Sequence, residues 1–160
     1  MKHHIPTKNI IMLQHINTLF CDEKIDWILS GSTALALYGL DVEVHDIDLI
    51  VQKKDLDKIS KLFEKYTTRQ IMYLQSDEVK MRSYWGTYMI DGVELDIISE
   101  IEHKVDDVWK TLDVDTTIEI EFEGMKIKML TLEAEHEEYT ALGRIEKANK
   151  ISRAMTAEKI

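Results

Sequence analysis

The sequence predicts one α/β (α+β) domain: a mixed, largely antiparallel sheet with helices packed on it and a helical hairpin at its C-terminal end. Three observations carry this. A short apolar strand, Trp27-Ile28-Leu29, runs through Ser30-Gly31-Ser32 straight into a helical stretch. Asp91-Gly92 joins two β-rich runs, as Asp-Gly does in two-residue hairpins, and Glu123-Gly124 joins two more. Apolar residues recur at helical spacing before, between and after these strands. At 160 residues the chain has the length of about one domain with a proper core. The expected division is a single unit over residues 1–160, with a core at about 7–100 and a C-terminal hairpin and helices at about 101–160.

Thr7, with Pro6 before it, reads as the cap of a first helix that buries Ile10, Leu13, Ile16 and Phe20 on one face. His3 and His4 precede it as surface residues. The strand from Trp27 follows, then a helix from Thr33 to Tyr38 that stops at Gly39, and a second strand carrying Asp46 and Asp48. Lys53 and Lys54 mark a turn. A helix from about Asp55 to Tyr66 buries Leu56, Ile59, Leu62, Phe63 and Tyr66 and exposes its charged side. A short strand is expected over Arg69 to Leu74, and a polar connection over Ser76 to Ser83. The first hairpin pairs Tyr84–Ile90 with Val93–Ser99. On its second strand Glu94, Asp96 and Ile98 share one face, and Val93, Leu95 and Ile97 the other. Glu100 to Lys110 reads as a helix or an irregular acidic connection, with His103, Asp106 and Asp107 on a solvated surface. Thr117–Phe122 and Met125–Met129 form the second hairpin. Thr131 caps a helix bearing Leu132, His136, Tyr139 and Leu142, with His136 read as a core histidine. Gly143 breaks it, and a last helix places Ile145, Ala148, Ile151 and Met155 on one face.

Composition narrows the function. Hydrophobic content of 44% and charged content of 31% are ordinary for a soluble globular chain. No apolar run approaches the roughly 18 residues that span a membrane, and Met-Lys-His-His-Ile-Pro lacks a hydrophobic export core. The one cysteine, Cys21, excludes an internal disulfide framework and suits a reducing cytoplasm; it reads as a small buried or helix-end residue. A net charge of −10 argues against general nucleic-acid binding, which needs a basic face.

The chemistry concentrates between Trp27 and Val51. Gly31 lets a ligand approach the backbone. Ser32 is a good helix N-cap whose hydroxyl can bond a phosphate oxygen. The free N–H groups of that helix start favour an anion. Asp46 and Asp48, two apart on a strand, face the same way and repel each other unless a cation lies between them. Carboxylates select hard ions such as Mg²⁺ or Mn²⁺. An anion cradle beside a cation clamp is what a nucleoside triphosphate needs.

These residues, Gly31-Ser32 and Asp46-Ile47-Asp48 with Asp96 on a later strand, resemble the pattern of the DNA polymerase β-like nucleotidyltransferases of the small minimal type. The resemblance covers roughly the first hundred residues. It implies the nucleotidyltransferase fold, with Asp46, Asp48 and Asp96 as the catalytic and metal-holding carboxylates and Gly31 and Ser32 binding the nucleotide. It also implies Mg²⁺ or Mn²⁺, a nucleoside triphosphate donor such as ATP, and a small-molecule, protein or RNA acceptor. A homodimer is compatible with it. One departure stands out: some relatives carry an arginine shortly before the Asp-x-Asp, where this chain has Val42-Glu43-Val44-His45. A second expectation is a non-catalytic or weakly catalytic interaction module of the same fold, such as a toxin–antitoxin type component. A nucleotide-sugar enzyme fits less well, because the chain is short and carries Gly-Ser upstream.

Overall fold

A computed structural model describes residues 4–158. Helix α1 (Thr7–Asp22) leads into strand β1 (Trp27–Ser30), helix α2 (Gly31–Leu37) and strand β2 (Ile47–Val51). A 3-10 turn (Lys53–Asp55), helix α3 (Leu56–Leu62) and a second 3-10 turn (Glu64–Tyr66) follow. Then come strands β3 (Thr67–Ser76), β4 (Met81–Ile90), β5 (Val93–Val105), β6 (Val108–Thr111), β7 (Thr117–Phe122) and β8 (Met125–Leu130). Helices α4 (Leu132–Ala141) and α5 (Ile145–Glu158) end the chain.

The strands make one eight-stranded mixed sheet in the order β3-β4-β5-β2-β1-β8-β7, with β6 paired to β5. Among the described residues only β2–β5 and β1–β8 pair in parallel. Alternation along the central strands decides what each face carries. Ile47, Leu49 and Val51 on β2, and Val93, Leu95 and Ile97 on β5, pack with Leu13, Ile16, Phe20, Ile59 and Phe63 of α1 and the α3 region. The even-numbered positions of the same strands turn to the other face, where Ala134 of α4 packs with Ile50 and Ile98. There Ile50 joins Leu130 and Ala134, while Leu35, Leu132, Tyr139, Ala148 and Ile151 make a further apolar cluster.

Local chemistry explains most element ends. Asp91 (φ 49°) and Gly92 (φ 78°) take the left-handed pair that a tight hairpin turn requires. Thr131 caps α4, its hydroxyl accepting from the Ala134 N–H at 3.1 Å. Gly143, at φ 74°, separates α4 from α5.

Several expectations need correction. The α1 cap position falls on Pro6, not Thr7, and no side chain caps it. Ser30, not Ser32, sits at the cap of α2, which begins at Gly31. The helix expected over Asp55 to Tyr66 is interrupted into a short α3 between two 3-10 turns. The segment Glu100 to Lys110 is neither helical nor irregular. β5 runs on to Val105 and turns back into β6 through Asp106 (φ 51°) and Asp107 (φ 63°), so an Asp-Asp turn does the work of Asp-Gly. His103 is therefore fully buried in a strand rather than solvated, and burial holds its imidazole below the usual histidine range. His136 is only half-buried, and Ile145 is 57% exposed. Cys21 lies near the end of α1 and is exposed, and His4 is exposed. His3 lies outside the described residues. Among those residues no helix is long and apolar enough to cross a membrane.

Candidate active site

The parallel pairing of β2 with β5 sets the site. Its register places Asp48 beside Asp96, and one step earlier Ile47 beside Leu95. Asp46, just before β2, and Glu94, on β5, extend the same face by one further position. Four carboxylates thus form a two-by-two grid on adjacent strands. One oxygen each from Asp46, Glu94 and Asp96 lie within 4.8 Å of one another. Asp46, Asp48 and Asp96 line one cavity of about 460 Å³, together with Trp85 of β4, Glu138 of α4 and Arg144.

The antiparallel pairing of β1 with β2 brings the Gly31 turn to this grid, since Ser30 is the register partner of Asp48. Gly31 has φ 73°, and a Cβ built on it would overlap the Asp48 carboxylate, so two constraints demand glycine here. Ser32 is buried, and its hydroxyl accepts from the His45 N–H at 3.4 Å. The anion cradle expected at the helix start is already filled. The Gly31 N–H donates to both oxygens of Glu135, at 3.0 and 3.3 Å, and Glu135 is fully buried on α4.

Asp46, Asp48, Glu94, Asp96, Glu135 and Glu138 crowd this region. Among the described residues, none of them has a lysine, arginine or histidine nitrogen within 4 Å. Burial and mutual repulsion move their protons accordingly. Burial first, then Asp48, raises Asp96 to about 8; burial raises Asp48 to about 7, with repulsion from Glu138 and Asp46 adding to it. Asp96 donates a hydrogen bond to Asp48, which partly offsets that rise. Burial also lifts Glu94 and Glu138 to about 7, and it lifts Glu135 well above the usual carboxylate range. Asp96 is 9% exposed, and its Oδ1 is buried without a hydrogen-bond partner. Buried acids without counter-charge are costly. A divalent cation is the group whose chemistry fits this donor set: hard, oxygen-seeking and doubly positive.

Sequence reasoning missed three of these six. Glu94 was legible, because it shares a strand face with Asp96 two residues on. Glu135 and Glu138 carried no signal: they lie on a helix rich in glutamate, with no motif to single them out. Three cations from the neighbouring segments are occupied elsewhere. Arg82 donates to Glu102 at 2.8 Å and lies over Trp109. Lys54 pairs with Asp55 at 3.6 Å, and Lys53 lies over Tyr84. Two others stand free of carboxylates among the described residues: Arg144, which lines the acid cavity, and Lys147, within the field of Asp48. Both lie over the Tyr139 ring, at 5.4 and 5.5 Å from its centroid.

The fold has solved counterparts. A Thermotoga maritima protein classed as a nucleotidyltransferase shares 30% identity over 97% of both chains, with a TM-score of 0.78. ANT(2'')-Ia, solved with adenylyl-2''-tobramycin, superposes with a TM-score of 0.62 at 14% identity, over 96% of this chain and 92% of its own. The lincosamide antibiotic adenylyltransferase LnuA, solved with lincomycin, gives 0.53 at 14% identity, over 92% and 99%. At such identities the latter two show the fold alone. No curated protein matches the chain by sequence. The sequence model of the aminoglycoside-2''-adenylyltransferase family matches residues 12–155, nearly the whole chain. With a sheet of the nucleotidyltransferase type and that match, the chain belongs to the aminoglycoside-2''-adenylyltransferase family and is a nucleotidyltransferase.

Proposed function

We propose that the protein transfers a nucleoside monophosphate group from a nucleoside triphosphate, ATP in the first instance, to a hydroxyl-bearing acceptor in a reaction that depends on Mg²⁺ or Mn²⁺. The observation that carries this reading is the carboxylate grid: Asp46, Asp48, Glu94 and Asp96 meet beside Gly31 with no protein cation to neutralise them. Divalent ions held there would neutralise phosphate charge and stabilise the attacking and leaving oxygens.

The chain's own residues supply the rest. Asp46 and Asp48 orient the triphosphate, and Asp96, at the buried end of the grid, faces the acceptor hydroxyl. Gly31 and Ser32 form the turn beside the grid, and the outgoing phosphates reach the Gly31 N–H by displacing Glu135 from it. Arg144, which lines the same cavity and is paired to none of its acids, takes the place of the arginine missing before Asp46, with Lys147 beside it over the Tyr139 ring. No covalent enzyme intermediate is needed; positioning and charge neutralisation suffice. The acceptor is bound by the same cavity and the α4–α5 hairpin. The chain acts as a single domain.

The test is direct. Mg²⁺ with ATP raises the melting temperature of the wild type, and labelled nucleoside triphosphate transfers its label to an acceptor from metabolite, RNA or protein pools. Asp48→Asn removes both effects. A wild type whose melting point ignores millimolar Mg²⁺ and every triphosphate would sink the reading. A second reading, a module of the same fold without turnover, draws on one observation: Glu135 already holds the Gly31 N–H. It predicts cation binding with no nucleotide binding.

A further inference from the structure

We infer that Thr33, with Ser32 and Asn9, is a positioning residue for Asp46: these side chains hold the peptide groups that aim the first carboxylate of the grid. This rests on the reading of Asp46 above for its importance to the reaction, but part of its test needs neither metal nor nucleotide. Asp46 lies at a gap in the sheet. The β2–β5 register begins at Ile47 and the β1–β2 register stops at Asp48, so Asp46 stands just beyond both ladders. Strand pairing fixes Asp48 and Asp96 against each other; it does not fix Asp46. A carboxylate that works in concert with others needs a backbone with little play.

Side chains fill the gap. The Thr33 hydroxyl donates to the Asp46 carbonyl at 2.9 Å. One residue earlier, the His45 N–H donates to Ser32 Oγ and the His45 carbonyl accepts from Asn9 Nδ2, both at 3.4 Å. Side chains from α1 and α2 thus take main-chain groups that a partner strand takes elsewhere. Upstream, Val42 and Val44 are buried in the apolar cluster with Leu35, Tyr139 and Ile151, which anchors the segment that leads to His45. The three polar residues have no other evident use where they stand. Asn9 is fully buried on the α1 face that carries Met12, Leu13 and Ile16. Thr33 is fully buried in α2, where a threonine hydroxyl ordinarily bonds back within its own helix. Here it reaches a segment 13 residues on. Ser32 accepts from His45 and so has a role that needs no phosphate.

The experiment compares Thr33→Val, which keeps the shape and loses the hydroxyl, with Thr33→Ser, which keeps the hydroxyl and loses a buried methyl. Amide ¹⁵N relaxation of the metal-free full chain reads the backbone, and a Mn²⁺ titration followed by electron paramagnetic resonance reads the site. In the wild type and in Thr33→Ser the Asp46 amide has an order parameter of about 0.85, like β2; in Thr33→Val it falls towards about 0.6 while β2 stays rigid. Thr33→Val weakens Mn²⁺ binding about 10-fold or more, and Thr33→Ser stays within about 3-fold of wild type, although the lost methyl lowers its melting temperature. A merely structural threonine would give affinity losses that follow melting temperature instead of the hydroxyl. A folded Thr33→Val protein with wild-type order at Asp46 and wild-type Mn²⁺ affinity overturns the inference and leaves the metal reading intact. Loosening of Asp46 in Thr33→Val, in a protein that binds no Mn²⁺ in any form, keeps the inference and removes the metal reading. If Thr33→Val does not fold, the wild type decides. An Asp46 amide as ordered as β2, with a Thr33 hydroxyl proton slow to exchange with water, supports the inference; an order parameter below about 0.6 at Asp46 overturns it.

Discussion

Neighbouring residues on β2 and β5 point in opposite directions and meet opposite physics. Leu49, Leu95 and Ile97 are fully buried in hydrocarbon contributed by α1 and the α3 region. Asp48, Glu94 and Asp96, one residue away in each case, meet other carboxylates under α4. One face of the sheet stabilises the fold; the carboxylate patch on the other, beside the apolar cluster of Ile50, Leu130 and Ala134, is carried at its expense. Charge repulsion that folding does not need is the mark of a surface kept for a ligand.

The sharpest way to break this comparison is at positions 48 and 49. In the proposed reaction Asp48→Asn loses several kcal/mol of transition-state stabilisation, about 10³-fold in kcat, yet it raises the melting temperature of the metal-free protein by relieving repulsion. Leu49→Ala does the reverse. It opens a cavity among Phe20, Ile59 and Leu95 and costs about 2–5 kcal/mol of stability, while the acid face keeps its chemistry. Activity assays and thermal melts on the two variants decide it. If both destabilise alike, the two faces do not differ as described.

That alternation was legible in the sequence, and so were the consequences that hang on it. Val93-Glu94-Leu95-Asp96-Ile97 declares a strand with one apolar and one acidic face, and Asp91-Gly92 fixes where it starts. Contacts across long sequence separations were not legible. Glu135 meets Gly31 over a separation of 104 residues, and nothing near either residue announces it. The Asp106-Asp107 turn was missed because aspartate takes the left-handed conformation less readily than glycine, so the pair read as a charged surface. His103 was misplaced with it: once the turn is overlooked, β5 seems to end before reaching it.

Titration sharpens the comparison next. Asp48 and Asp96 rise on folding from ordinary values near 4 to about 7 and 8, and Glu94 and Glu138 rise to about 7. The folded state therefore binds more protons than the unfolded state between those limits, and stability falls as pH rises. The contribution is complete below about pH 4 and is lost as pH passes through 7 to 8. Denaturant melts of the metal-free protein from pH 5 to pH 9 should show the decline. Mg²⁺ at 100 times its Kd should restore about 2.7 kcal/mol at the alkaline end. A flat profile would mean that water already relieves the acid face.

The smallest effect belongs to Glu135, and it isolates the part of the acid face that the sequence concealed. Its carboxylate is raised by burial and by the nearby Glu138 and Asp48, while the Gly31 N–H pulls the other way. In Glu135→Gln the amide oxygen still accepts from Gly31, so the hydrogen bond and the volume are kept and only the ionisable charge goes. Because burial raises this carboxyl, it is nearer neutral at pH 5 than at pH 8, and at pH 5 the melting temperature should lie nearer wild type. At pH 8 it should rise, by about 2–4 °C for each kcal/mol of repulsion removed, and the alkaline decline should become shallower. Leu132→Ala, also on α4 but in the apolar cluster with Leu35 and Ile151, lowers the melting temperature equally at both pH values. A Glu135→Gln shift of equal size at both would show that position 135 acts through packing, and would return it to the apolar side of the comparison.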